Sequence, residues 1–277
     1  MAAVTPMRFG IVTPTLNGER YFERCLDSIW SQRSPQVEID HVVVDGGSTD
    51  RTVEVAHRYP SRVLVGRDGG MYEAVNRGME VVEGDVVAYV NADDELVPGS
   101  LRTVARALGS ASTPSWLCGG VEFIGSDGSS LAVLRMVPVS RRALLGMPWC
   151  PIYSVTVWAR RAFFDRVGPF DQAYRQAGDC DWYVRAMALE QPLILPDVLA
   201  RFRVHPGNLS LDRARMREEV ALIRQRHGGG TWSSRLQGGL LRLRINLSNP
   251  GWLLSKKAGR LARARDQRRL SHSDEGA

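Results

Sequence analysis

The chain has 277 residues, 44% of them hydrophobic and 24% charged, which is the composition of an ordinary globular protein. Its net charge of +6 is uneven: from Gly228 onward ten Lys/Arg face three acids, +7, so residues 1–227 carry −1. Basicity confined to a tail excludes a nucleic-acid-binding core, which would spread its cations over a folded face.

The opening "MAAVTPMRFGIVTPT" lacks a basic segment followed by an apolar one, so an exported protein is not expected. No run approaches the ~18 apolar residues of a membrane span. "RFGIVTP" (8–14) predicts a strand, and "GERYFERCLDSIWSQ" (18–32) predicts a helix because Tyr21, Cys25, Leu26 and Ile29 recur at helical spacing. "VEIDHVVVD" (37–45) is a second strand, followed by a helix over 48–59 opened by a Ser/Thr/Asp cap. "RVLVG" (62–66), "MYEAVNRGMEVV" (71–82) and "DVVAYVN" (85–91) continue as strand, helix and strand, with a helix over 98–110. Continuous apolar strands separated by helices predict an α/β fold with a mostly parallel sheet flanked by helices. Beyond residue 110 the rhythm changes. Residues 115–137 predict a hairpin around an "SDGS" turn, 154–171 a strand, helix and turn, 179–191 a helix starting at two acids, and 193–205 a last strand. Cys25, Cys118, Cys150 and Cys180 are scattered without a CxxC pair, which suggests neither a zinc site nor a disulfide framework.

Open α/β sheets bind ligands at the carboxyl ends of their strands. Asp45, Arg67-Asp68 and Asn91-Ala92-Asp93 follow three successive predicted strands and so gather on one rim. The run Asp93-Asp94-Glu95 sets like charges side by side, which calls for a positive species. A carboxylate at Asp45, before the flexible Gly46-Gly47, can accept a hydrogen bond from the ring N–H of a base. "NADD" supplies hard oxygen ligands for a divalent cation bridging to a diphosphate. "AGDCDW" adds a late carboxylate at a helix start.

These stretches, "IVTPTLNGERYFERCLDSIWSQ", "VVVDGGSTDRTVEVA", "GRDGGMYEAVNRGMEVVEGDVVAYVNADD", "AGDCDWYVR" and "RVHPGNLS", resemble in order the motifs of family 2 glycosyltransferases with the GT-A fold, especially the branch building bacterial polysaccharides and glycolipids. The resemblance runs from about Phe9 to Ser210. It implies an inverting, metal-dependent transfer from a nucleotide-diphosphate sugar to a hydroxyl, with Mg2+ or Mn2+ as cofactor. By motif position, Pro14, Thr15 and Asn17 would lie against the nucleoside, Asp45 at the base, and Arg67 and Asp68 at the nucleotide. Asn76, Asn91 and Ala92 would lie near the donor, Asp93 and His205 would hold the metal, and Asp179 would be the general base. The sequence departs from the family where Gly46 stands in place of a second acid, Asn91 in place of Asp, and Gly178 in place of Glu.

Simpler readings stand beside these. Asp45 could cap the following helix, "ADDELVPGS" could be an acidic helix entrance, and Asp181 could replace Asp179 as base. Trp149 and Trp182 could line an acceptor pocket or belong to the core. A nucleotidyltransferase, or a nucleotide-sugar-binding scaffold without catalysis, would use a similar rim. The expected organisation is a catalytic domain over 1–227 and a basic amphipathic tail over 228–277. In the tail Trp232, Leu236, Leu240, Leu243 and Leu247 form a helical stripe interspersed with Arg235, Arg242 and Arg244. That stripe suits an anionic membrane surface, and packing on the domain or a disordered end are its alternatives. A cytoplasmic enzyme at the inner face of the membrane, working on a lipid-linked acceptor, is the expectation that follows.

Overall fold

The structure is a computed structural model that describes residues 6–110, 112–255 and 259. The chain runs β1 (Met7–Thr15), α1 (Glu19–Trp30), β2 (Val37–Asp45), α2 (Thr52–Ala56), β3 (Arg62–Val65), α3 (Met71–Val81) and β4 (Val86–Tyr89). These four strands lie in the order β3-β2-β1-β4 and pair in parallel throughout. The register sets Thr15 beside Asp45 and Asp45 beside Val65, so their carboxyl ends share one rim. β1 is buried from Phe9 to Thr15 because helices cover both faces, which is why it reads as an unbroken apolar run. α1 contributes Tyr21, Phe22, Cys25, Leu26 and Ile29 to the core. α3 lies so close to the sheet that a β-carbon on Gly78 would fall 2.4 Å from Val12 Cγ1, which accounts for a glycine inside a helix.

The helix expected over 48–59 is much shorter. Ser48 and Thr49 are drawn into hydrogen bonds with Asp45 and Asn17, and Asp50 Oδ1 accepts the Thr52 N–H at 3.0 Å, so helix begins only at Thr52.

The second half continues with β5 (Glu95–Leu96), α4 (Ser100–Leu108), β6 (Trp116–Ile124), β7 (Ser130–Leu134), α5 (Arg141–Leu144), β8 (Val157–Arg160), α6 (Arg161–Val167), α7 (Gly178–Leu189) and β9 (Leu193–Arg203). The β6–β7 hairpin forms around the SDGS turn. β8 joins β4 antiparallel to β6, and β9 runs parallel to β6 before pairing with β5. The described residues thus form one nine-stranded sheet whose parallel first half carries the rim.

α8 (Arg213–Arg226) and α9 (Trp232–Ser248) close the described chain. α9 docks on α5 and the turn after it through Ser234, Gly238, Leu241 and Ile245. The contact is backbone to backbone: a β-carbon on Gly238 would fall 2.4 Å from Gly146 C. The tail helix therefore packs on the domain with the face opposite the leucine stripe. The segment KKAGRLARARDQRR, Gly259 apart, lies outside the described residues.

A β-carbon at Gly146 would fall 1.7 Å from the Ser234 carbonyl oxygen, whereas Gly239 has nothing within 4 Å. Gly146→Ala is therefore expected to lower stability by about 1–3 kcal/mol in urea denaturation. Gly239→Ala should raise it by about 0.5–1 kcal/mol. Equal effects at the two glycines would contradict this packing.

Candidate active site

The acids after β4 are sorted into three environments. Asp94 is 0% exposed: its Oδ1 accepts the Arg203 backbone N–H at 3.0 Å and its Oδ2 the Asn91 amide at 3.1 Å. Burial, then the adjacent Asp93 charge, pushes its carboxyl well above the usual range. Glu95 is paired with Arg203 and lies 3.5 Å from Arg201. Arg203 is itself fully buried, donating to the carbonyls of Asp93 and Gly125 at 3.1 Å each and lying 4.7 Å over the Tyr21 ring. Much of the countercharge the acid run calls for is thus supplied from within the chain.

Asp93 alone keeps a half-buried carboxylate at the rim, its Oδ2 accepting from His205 Nε2 at 2.8 Å and Asn208 Nδ2 at 3.1 Å. The Gly207 N–H points at His205 Nδ1 at 3.2 Å, so the ring proton sits on Nε2. His205, expected at the metal, lies against Asp93 as a hydrogen-bond donor, and binding a cation through Nε2 would require moving its proton to the nitrogen that Gly207 occupies. Asn91 Oδ1, in contrast, is buried without a partner. That orphaned oxygen and the Asp93 carboxylate are the hard ligands that fit a divalent cation, which takes few protein ligands when phosphate oxygens complete its shell.

Along the neighbouring strand ends, Asp45 is 0% exposed. Its Oδ1 accepts the N–H groups of Gly47 and Ser48 at 3.0 and 2.9 Å, and its Oδ2 accepts the Ser48 hydroxyl. Expected at the base, Asp45 builds the turn over 46–48 with both of its oxygens. Asn17, at φ 51°, accepts from the Thr49 N–H at 2.9 Å while its own N–H donates to Ser48 Oγ at 2.8 Å, joining the loops after β1 and β2. Pro14 is buried, and Thr15 Oγ1 is buried without a partner. A β-carbon on Gly18 would meet that Oγ1 at 2.7 Å and the Ala92 β-carbon at 3.4 Å, so the ends of β1 and β4 converge there.

Asp68 is half-buried, with Oδ1 accepting the Gly70 N–H at 3.1 Å and Oδ2 turned toward Gly46. Burial raises its carboxyl. Arg67 is exposed over the Gly47 turn. Asn76, expected near the donor, is buried, and its amide exchanges two 2.9 Å hydrogen bonds with the Phe170 backbone, so it clamps α3 to the approach to α7.

Asp179 opens α7 beside that clamp. Its Oδ1 accepts the Cys180 N–H at 2.7 Å, and the Tyr72 hydroxyl lies between this oxygen, at 3.3 Å, and the Gln176 carbonyl, at 3.1 Å. The residue keeps some open surface, yet burial of its carboxyl pushes the pKa up to about 6 against the pull of these donors. Asp181 differs: 1% exposed, it is paired with Arg185 at 2.8 Å and His227 at 2.7 Å, whereas Asp179 is half-buried. Gly178 also acquires a reason. A β-carbon there would fall 2.7 Å from the Tyr72 ring, so the tyrosine fills the space a side chain would need. Trp182 is core, its indole donating to the Gly168 carbonyl at 3.0 Å, and Trp149 packs at 6.1 Å on Trp252.

Three residues escape sequence reasoning. Arg203 carries a weak signal as a charge inside the apolar "LARFRVH" strand, and Tyr72 only its place in the α3 motif. Glu219 carries none. Projecting from α8, its carboxylate accepts the consecutive N–H groups of Arg175, Gln176 and Ala177 at 2.9, 2.8 and 2.8 Å, fixing the segment that delivers Asp179.

Four similarities to known proteins bear on this arrangement. Residues 10–168 match the model of the family described as Glycosyl transferase family 2. A "PGL/p-HBAD biosynthesis glycosyltransferase" from Mycobacterium bovis (strain BCG / Pasteur 1173P2) is 30% identical over 190 residues, spanning 65% of this chain and 70% of that protein. Among solved structures, S. aureus TarS 1–349 in complex with UDP-GlcNAc superposes with TM-score 0.63 at 20% identity, over 87% of this chain and 73% of that one. The mannosyltransferase PcManGT from Pyrobaculum calidifontis, in complex with GDP-Man and Mn2+, gives 0.58 at 17% identity over 96% and 84%. Both share the α/β architecture of a curled sheet flanked by helices.

Removing the Glu219 carboxylate leaves three N–H groups in the 175–177 segment without their acceptor. Glu219→Ala is expected to cost about 2–3 kcal/mol by denaturant titration. It should also accelerate amide exchange at residues 175–177; unchanged exchange there would show that another group holds this segment.

Proposed function

The chain belongs to glycosyltransferase family 2, and we propose that it transfers a sugar from a nucleotide-diphosphate donor to an acceptor hydroxyl with inversion, Asp179 acting as the general base. The observation that carries this reading is the carboxylate from the later half of the chain, held near pH 6 by burial and set beside α3 at the rim. A base is most effective with its pKa close to the working pH, and near neutrality Asp179 is mostly ionised. As the acceptor oxygen bonds to the anomeric carbon, its proton passes to Asp179. The bond from that carbon to the diphosphate breaks, and its electron pair leaves on the phosphate oxygen. Attack opposite the leaving group inverts the configuration, and no covalent enzyme intermediate forms.

On the donor side, the half-buried Asp68 carboxylate, turned toward the Gly46-Gly47 turn, and the exposed Arg67 are the polar groups available to the nucleotide. His205 Nε2–H, which donates to Asp93, would reach a diphosphate oxygen only by leaving or sharing that contact. A magnesium or manganese ion held by Asp93 and Asn91 Oδ1 would supply positive charge to the leaving diphosphate. The sugar nucleotides bound in the TarS and PcManGT structures, and the Mn2+ in the latter, support this donor class. Membership of the family removes the nucleotidyltransferase alternative. For the acceptor we favour a lipid-linked or surface-polymer precursor hydroxyl reached from the cytoplasmic side, in keeping with the biosynthetic name of the mycobacterial relative.

Asp179→Asn is expected to lower transfer by about 10^2–10^4-fold while nucleotide binding persists. In the wild type, kcat/KM should fall about tenfold per pH unit below about 6, where Asp179 takes up its proton. Tyr72→Phe removes a donor that favours the charged carboxylate, so this acid limb should move to higher pH; a limb that stays in place would exclude the Tyr72 contact as a tuning element. The sign for stability is opposite to that of a paired acid. Because the folded pKa is raised, the charged form destabilises the fold above about pH 6, so Asp179→Asn should melt higher at pH 7 and lose that advantage below pH 4.

The donor is tested by thermal shift with UDP, GDP and dTDP, each with and without Mn2+. One nucleotide should stabilise selectively, by about 2.7 kcal/mol at a concentration a hundredfold above its Kd. If Asp93→Ala keeps the full metal effect, the cation is held elsewhere.

A further inference from the structure

We propose that the outer face of α9 is a docking face for the surface of an anionic lipid bilayer. α9 uses Ser234, Gly238, Leu241 and Ile245 to pack on the domain. The other side presents Trp232, Leu236, Leu240, Leu243 and Leu247, which remain 79%, 49%, 50%, 54% and 72% exposed. At about 100° per residue these five side chains occupy an arc of roughly 80°, nearly opposite the docked face. A helix that has already buried one face in its own domain has no folding reason to carry a second apolar face into water.

Charge selects the occupant. Arg235 and Arg242 flank the stripe on one side and Arg244 on the other, all exposed. From Val220 through Arg265 the chain contains ten Lys/Arg and no Asp or Glu. An apolar stripe bordered by cations and free of acids complements anionic headgroups above an acyl interior. A second copy of the same face would set arginine against arginine, which opposes self-association. The exposed Trp232 at the helix start suits the headgroup boundary. Beside the stripe, a groove of about 350 Å³ runs between α9 and residues 138–143, with Pro138, Val139, Ala143, Leu240 and Leu241 as apolar walls and Arg244 at its edge. That arrangement offers an acyl segment a place beneath a phosphate-binding cation. Contact would be with the surface, since no helix among the described residues is long and apolar enough to cross a membrane.

Flotation of the full chain with phosphatidylcholine vesicles, with and without phosphatidylglycerol, tests the proposal. The protein should float with the anionic vesicles and be released by high salt. Leu236→Glu with Leu243→Glu should reduce partitioning by about tenfold or more. Replacing Arg235, Arg242 and Arg244 by Ala should remove the preference for the anionic lipid. Both variants alter exposed side chains, so unchanged melting temperatures and nucleotide-induced shifts serve as the folding control. The proposal is overturned if the wild type stays in the aqueous fraction with anionic vesicles, if the double glutamate variant floats as well as the wild type, or if light scattering finds a dimer that this variant dissociates. Vesicle binding is read without turnover, so a negative result leaves the assignment of Asp179 standing.

Discussion

A single buried guanidinium holds the acid-rich rim together. Arg203 contacts the backbone of Asp93 and Gly125, pairs with Glu95 and stacks on Tyr21, and its own N–H meets Asp94. A buried charge is tolerable only when its hydrogen-bonding capacity is met, and removing one partner of such a network typically costs about 3–5 kcal/mol. With two of the three acids neutralised from inside, Asp93 alone is left facing the rim, with the orphaned Asn91 oxygen nearby. The site's charge toward a ligand is therefore lower than its sequence implies. The rim thus presents the half-buried Asp93 carboxylate, held by His205 and Asn208, instead of a dense patch of negative charge.

The second organising constraint is how an acid so late in the chain reaches the strand ends. Three devices meet at this point: the Asn76 clamp on Phe170, the Tyr72 hydroxyl on Asp179, and the Glu219 grip on three consecutive N–H groups. They come from α3 and α8, far apart in sequence. Glycine at position 178 belongs to the same arrangement, since the tyrosine ring lies where a β-carbon would project. Where the family commonly has glutamate, Gly178 thus leaves room for the Tyr72 ring, whose hydroxyl reaches Asp179. Asp179 and Asp181, two residues apart on one helix, end in opposite circumstances because only Asp181 meets Arg185 and His227. The tail follows a similar logic of faces, with glycine and small side chains turned inward for close approach and leucines turned outward between arginines.

Much of this was legible in the sequence. The alternation of apolar runs and amphipathic helices, the rim formed by successive strand ends, the SDGS hairpin and the helical period of the tail all follow from local patterns of two or 3.6 residues, which depend on the side chains of one segment. The order of motifs likewise pointed to the family. What the sequence could not assign was the use of each polar group, because a carboxylate's role depends on what stands within about 3 Å of it. Asp45 closes a turn because Ser48 folds back onto it, Asn76 clamps Phe170 from 94 residues away, and Arg203 finds Glu95 across the pairing of β5 with β9. The inward face of α9 likewise depended on Gly146 approaching Gly238, a contact between backbones that leaves no mark in hydrophobic periodicity. Sequence determined which groups are available and along which rim; tertiary structure decided which of them remain free, since only the fold sets the neighbours that satisfy or abandon each donor and acceptor.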